Sequence, residues 1–302
     1  MKIQVLGPLH AVAGGVPVTP AAGKERQILA LLALHPGRLV PVTTLIEEVW
    51  GPRPPRTAHS TVQTYVLRLR RTLATALGGA DGPDGADGPN GSGGPDGSGG
   101  PDGSGGPDGR HRARQLLATG HGGYLLRVAE DDVDAFAFRR AARAGHTAFA
   151  DGEGERTALL LRDALALWRG PALVDVPAGE PLRVQAARLE EGRLLATERL
   201  VDAELRLGRH GELIADLVEL TSRHPKNERL HAQAMVAFYR SGRRSSALEL
   251  YRALRRRLVD ELGLEPAPQL QRLHEAMLTV DPRLDVLTQG GRPTPTFDLY
   301  AA

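Results

Sequence analysis

Residues Thr57–Leu77 read TAHSTVQTYVLRLRRTLATAL. Thr57, Thr61, Thr64, Arg68, Arg71 and Thr75 recur there at spacings of four, three, four, three and four. At about 100° per residue these positions stack into one polar stripe on a helix. Val62, Val66, Leu69 and Leu73 fall on the opposite face and read as core. Such a helix buries one side and offers hydroxyls and guanidiniums on the other, the groups that meet base edges and phosphates in DNA. A stripe of this kind on an isolated helix is an ordinary solvated face, so its neighbours decide the reading.

Upstream, Ile3, Val5 and Leu9 open an alternating strand pattern, and Gly14-Gly15 marks a hairpin before Val16 and Val18. Lys24–Leu34 is apolar at helical spacing and stops at His35-Pro36-Gly37. Val42–Trp50 predicts a second helix, closed by Gly51-Pro52, with Trp50 in the core. Downstream of the striped helix, Gln115–Thr119 and Tyr124–Val128 flank Gly120-His121-Gly122-Gly123 and predict a β-hairpin. Those glycines do not form a phosphate-binding loop, because neither a helix nor a Lys-Ser/Thr pair follows them. Strands, three helices and a hairpin are the order of an OmpR-type winged helix-turn-helix, whose third helix enters the major groove beside a hairpin wing.

Charge supports this arrangement. Residues 1–77 hold nine Lys/Arg against three acids, and 110–127 hold four Arg and no acid, although the net charge of the 302-residue chain is only +2. The intervening residues 78–109 hold six Asp and no base, with GPDGSG in tandem, and predict a disordered insert with nothing to bury. That insert is expected to point away from the duplex. A sharper expectation is that it transiently covers the basic face and weakens non-specific binding.

From Val133 the pattern is helical, with helices expected over 133–149, 155–168, 183–207, 210–223, 227–240, 244–262 and 267–278. Gly208-Arg209 recurs as Gly242-Arg243, and the same shift of 34 residues sets Leu213 on Ala247, Leu217 on Tyr251 and Leu220 on Leu254. That period is the tetratricopeptide one. The chain is therefore expected to be mostly α. A winged-helix domain spans 1–128 (α+β), an all-α tetratricopeptide-like repeat domain spans 129–280, and a flexible tail spans 281–302. Arg252, Arg255, Arg256 and Arg257 read as a solvated or ion-paired face.

The chain has no cysteine, which excludes disulfides, thiolate metal sites and cysteine catalysis. His274-Glu275 lacks the second histidine of a zinc-protease helix, and nothing matches a phosphate-binding P-loop. No catalytic residue, metal or cofactor is assigned. The N-terminus lacks a signal-peptide core, and no apolar run approaches the roughly 18–20 residues of a membrane span. A soluble, cytoplasmic, nucleoid-associated chain is expected.

Longer stretches carry a resemblance. LGPL, GKERQILALLALHPGRLV, LIEEVWGPRPPRTA, VLRLRRTL and GYLLRV resemble the N-terminal domain of the Streptomyces antibiotic regulatory proteins, the AfsR/DnrI/RedD-type activators. VDAFAF, ALALWRGPAL and the stretches from LEEGRLLATERLVDAELRLGRHGELI to ALELYRALRRRLVDELGLEP resemble their bacterial transcriptional activation domain. The 78–109 insert departs from the family pattern, where this connection is usually shorter. The resemblance implies a transcription activator that switches on a secondary-metabolite (antibiotic) gene cluster and forms a dimer on DNA. It also implies RNA polymerase holoenzyme as partner, through the sigma factor's promoter-binding region, the β flap and the α C-terminal domain.

For the DNA contacts, Arg68 and Arg71 lie on the stripe, and Arg70 lies on its flank, where it meets the backbone or an acid of its own domain. Thr61, Thr64 and Tyr65 are placed for base edges and thymine methyls, and Thr57 joins the DNA-binding set as a member of the stripe. Arg114 precedes the wing, His121 sits at its turn and Arg127 ends its second strand. Double-stranded DNA with direct repeats about one turn apart, roughly 10–11 bp, is the expected target. Two rival readings are a repressor using the same DNA module and a helical-repeat adapter that does not bind DNA.

Overall fold

The computed structural model describes residues 1–78 and 106–285. Most of the acidic insert and residues 286–302 of the expected tail therefore lie outside the described residues, whereas Pro282–Leu284, also expected in that flexible tail, form a 3-10 turn with Leu284 buried in the helical core. By contact, the chain forms two compact units. The first comprises residues 1–139 and 166–192, and the second comprises 140–165 and the described residues from 193 onward.

The first unit opens with an antiparallel three-stranded sheet of β1 (Lys2–Gln4), β2 (His10–Ala13) and β3 (Val16–Pro17). Ile3 pairs with Ala11 and Ala13 with Val16, so the Gly14-Gly15 turn falls where the sequence puts it. Helix α1 (Gly23–Ala33) is buried along its whole length from Gln27 to Ala33 and forms the centre of the module. Helix α2 (Val42–Trp50) and helix α3 (Ala58–Gly78) pack on it. A short strand β4 (Val40–Pro41), too brief for alternation to reveal, joins the wing strands β5 (Leu117–Gly120) and β6 (Gly123–Leu126) in the order β4-β6-β5.

One element corrects the sequence reading. Pro107–Leu116 forms a helix, α4, with proline in its first turn. Residues 107–109 therefore do not belong to a disordered insert, and Arg114 stands on a helix rather than on an extended lead into the wing. Gly, Asp and four arginine or histidine side chains hid it from an apolar-periodicity reading. Only Gly109 and Ala113 are buried, and they lie against α3.

Helices α5 (Asp134–Ala150), α6 (Gly154–Ala166), α7 (Glu180–Arg206), α8 (Ile214–Arg223), α9 (Glu228–Arg240), α10 (Arg244–Leu262) and α11 (Pro268–Thr279) follow. Their bounds lie within a few residues of the expected ones. The core of the second unit gathers Val201, Leu205, Leu217, Met235, Phe238, Leu254, Leu273 and Met277. The 34-residue repeat is visible in the backbone. Gly208 N–H donates to Leu205 O and Arg209 N–H to Glu204 O, and 34 residues later Gly242 N–H donates to Tyr239 O and Arg243 N–H to Phe238 O. Both glycines end their helices at positive φ, +80° and +75°, a conformation that disfavours a Cβ.

Candidate nucleic-acid interface

Helix α3 divides as its spacing predicts. Val62, Val66, Leu69 and Leu73 are buried, while Thr57, Thr64, Arg68, Arg71 and Thr75 are exposed. Thr57 sits just before the first turn, and its carbonyl accepts from Thr61 N–H at 2.9 Å, Ser60 Oγ at 2.9 Å and Thr61 Oγ1 at 2.8 Å. Thr64 Oγ1 likewise donates to Ser60 O at 3.0 Å. These hydroxyls spend their proton on the helix, and their lone pairs and methyls face outward. Thr61 is half-buried, which narrows what it can reach.

The three arginines have different surroundings. Arg71 is exposed, and its guanidinium has no partner among the described residues. Arg68 reaches Glu25 of α1 at 3.2 Å but remains 58% exposed, so the pair is weak and breakable. Arg70 is turned into the fold. Its Nε donates to Leu117 O at 2.9 Å and its Nη2 to Thr119 Oγ1 at 2.8 Å, with the Tyr124 ring 5.9 Å away. Burial pulls its pKa below the ordinary guanidinium value. Tyr124 opposes that shift, and the positive charge of Arg114 adds to it. Arg70 thus ties the third helix to the first wing strand.

Tyr65 is half-buried and stacks on Trp50, with centroids 6.4 Å apart. Lys24 lies over the other partner of that stack, 5.0 Å from the Trp50 ring. An aromatic pair capped by an exposed lysine therefore borders the stripe. Gln63 and Leu67, both exposed on α3, complete its outer face. Spacing drew attention to the threonines and arginines and passed over these two.

The wing is a two-residue hairpin, because Gly120 pairs with Gly123. His121 is exposed at the tip, between paired backbones. A Cβ on Gly123 would collide with Val40 O, so glycine there lets β4 close on β6. Arg127 lies at the other end of β6, where its N–H donates to Leu116 O at 2.7 Å. The structure therefore groups Thr57, Thr61, Thr64, Arg68 and Arg71 on one surface. It sets His121 at the wing tip, and places Arg114 and Arg127 at the wing base beside Arg70.

A buried carboxylate fixes the other side of the module. Glu48 of α2 is 1% exposed. It accepts from Gly179 N–H at 2.6 Å and Leu182 N–H at 2.9 Å, at the start of α7, and from Gln27 Nε2 at 3.2 Å. Desolvation raises its pKa despite these donors. Asp134 performs the same service for the segment after β1, accepting from Val5 N–H at 2.8 Å and Leu6 N–H at 3.2 Å.

No described helix is long and apolar enough to cross a membrane. Comparison with known proteins agrees with the architecture. Residues 133–278 match the bacterial transcriptional activator domain, and residues 18–81 match the model described as transcriptional regulatory protein, C terminal. The chain is 44% identical over 286 residues to regulatory protein DnrI of Streptomyces peucetius, covering 94% of each chain. It is 35% identical to transcriptional regulator RedD of Streptomyces coelicolor, covering 95% of this chain and 73% of that protein. Among solved structures, Mycobacterium tuberculosis EmbR in complex with a low affinity phosphopeptide superposes with a TM-score of 0.76 at 32% identity, over 93% of this chain and 65% of EmbR. The winged-helix-plus-helical-repeat fold is thus shared, and these relatives are regulatory proteins rather than enzymes. The chain is a transcription regulator and belongs to the Streptomyces antibiotic regulatory protein family.

Proposed function

We propose that this regulator binds promoter DNA through the outer face of α3, with the wing alongside, and activates transcription by recruiting RNA polymerase through its helical repeats. The observation that carries the reading is the separation of roles on α3. Its apolar stripe is consumed by the core, whereas Arg71 has no partner among the described residues and Arg68 is held only by an exposed ion pair. Exposed guanidiniums on a helix face beside an acid-free hairpin suit phosphate and base contacts. The aromatic-lysine border at Tyr65, Trp50 and Lys24, and His121 at the wing tip, extend that surface.

The functional modules are taken as residues 1–128 for DNA and 129–280 for polymerase and a second copy. The target is a pair of direct repeats about one helical turn apart, roughly 10–11 bp, occupied by a dimer. The regulated genes are those of a secondary-metabolite cluster. Selection of genomic fragments by the full chain, followed by footprinting and a salt titration, tests this. Protection of spaced direct repeats, with affinity falling steeply with salt, is the expected result. No enrichment would leave the helical repeats as the functional part. Transcription from the selected promoter with purified polymerase gives the sign, and a decrease would make the protein a repressor.

A further inference from the structure

A second cationic site lies in the first unit, away from the wing tip. The turn after α1 carries His35 and Arg38, α5 carries Phe136 and Arg139, and α7 carries Gln185 and Arg188. Together with Leu34, Pro36 and Glu130 they line a cavity of about 520 Å³. Gly37 N–H donates to Leu126 O at 2.8 Å, so the turn is pinned at the far end of β6. Four residue steps along β6 separate that point from Gly122, about 13 Å at the usual rise.

The cavity gathers arginines with little matching acid. Other arginines of the unit are ion-paired: Arg26 with Asp175, Arg169 with Asp134 at 3.6 Å, and Arg183 with Glu180 at 2.6 Å. Arg38, Arg139 and Arg188 form no ion pair among the described residues. Glu130, exposed at the rim, is the single acid of the lining. Arg139 is half-buried, with its guanidinium 5.2 Å from the Phe136 ring. Burial first, and then the like charge of Arg188, lower its pKa. His35 Nδ1 is engaged by Leu31 O at 2.8 Å, which leaves the other ring nitrogen for a ligand.

We propose that this cavity binds a small phosphorylated metabolite, with Arg139 and Arg188 clamping its phosphoryl group and Arg38 and His35 completing the cradle. Guanidinium forks match phosphate oxygens bidentately, and an anion removes the mutual repulsion that the empty cavity retains. The volume falls within the span of about 300–1,000 Å³ usual for small-molecule sites. Phe136, Leu34 and Pro36 provide an apolar wall for the body of the ligand.

The test is calorimetric titration of the full chain with inorganic pyrophosphate, and with inorganic phosphate, against sodium chloride at matched ionic strength. Saturable binding is expected for the phosphates alone. Losing one charge-assisted clamp costs about ten-fold or more in affinity, so Arg188→Gln should weaken pyrophosphate by that factor, and Arg139→Gln with Arg188→Gln should abolish binding. Arg183→Gln, on the same helix but outside the cavity, should leave it unchanged. Because Arg188 is exposed and forms no ion pair among the described residues, its variant should melt no lower than the parent in phosphate-free buffer. Equal binding in parent and Arg188→Gln, an effect reproduced by chloride, or no binding at all would each overturn the proposal. A drop in DNA affinity in Arg188→Gln with no pyrophosphate binding would do so too, and would assign the arginines to the DNA backbone.

Discussion

Arg70 and Arg71 are neighbours in the chain with opposite fates. Arg71 projects from the helix with no partner among the described residues, whereas Arg70 is spent on Leu117 O and Thr119 Oγ1. Arg71→Ala should leave the melting temperature unchanged, weaken DNA binding across sequences and lower the salt slope by about 1, as expected for one lost phosphate contact. Arg70→Ala should instead cost stability, about 1–2 kcal/mol for a half-buried charged donor with two acceptors left behind, measured by urea denaturation. Glu48 offers a second test. Its folded pKa is raised, so its contribution to stability is complete below the unfolded value and is lost as pH rises through the folded one. Relative to Glu48→Gln, which cannot titrate, the parent should therefore lose stability as pH increases from about 4.5 toward neutrality. A constant difference across that window would contradict the assignment.

At the scale of elements, helical periodicity exposed most of the fold because long amphipathic helices must show one buried stripe. The striped helix, its core face and the repeat caps at Gly208 and Gly242 were legible in the order of residues alone. Strand β4 and helix α4 were not. A two-residue strand has no period, and α4 shows only Gly109 and Ala113 to the core. Two substitutions probe this scale. Gly123→Ala places a Cβ against Val40 O and should open the β4-β6 edge, costing about 1–3 kcal/mol by overpacking and weakening DNA binding without touching Arg68 or Arg71. Gly242→Ala, at positive φ, should cost about 1 kcal/mol in the second unit and leave DNA affinity of the folded protein unchanged.

At the scale of the molecule, the compact units do not follow the order of the sequence. Residues 129–139 and 166–192 pack with the winged helix. They carry Asp134, which holds Val5 and Leu6, and the Gly179 and Leu182 amides that hold Glu48. A fragment ending at 128 should therefore be markedly less stable than one ending at 192, because it strands a buried carboxylate and the two backbone amides that follow β1. Urea denaturation of the two fragments reads this directly, and equal midpoints would count against it. The candidate interface was legible in type and approximate place, since exposed arginines and threonines at helical spacing need only the local helix. Helical spacing set Arg68 and Arg71 on the stripe and Arg70 on its flank, but their partners, Glu25 for Arg68 and Leu117 and Thr119 for Arg70, were not legible because they lie on distant elements.

The order of residues by itself determined the helices, the turn glycines, the basic N-terminal third and the family, all of which rest on local periodicity, backbone preference and long shared motifs. Tertiary structure alone decided that Arg70 braces the wing, that α7 amides satisfy Glu48, and that three arginines from distant segments share one cavity. Those facts join residues tens to more than a hundred positions apart. Burial and hydrogen-bond partnership at such separations come from the packing of elements, which no local pattern encodes.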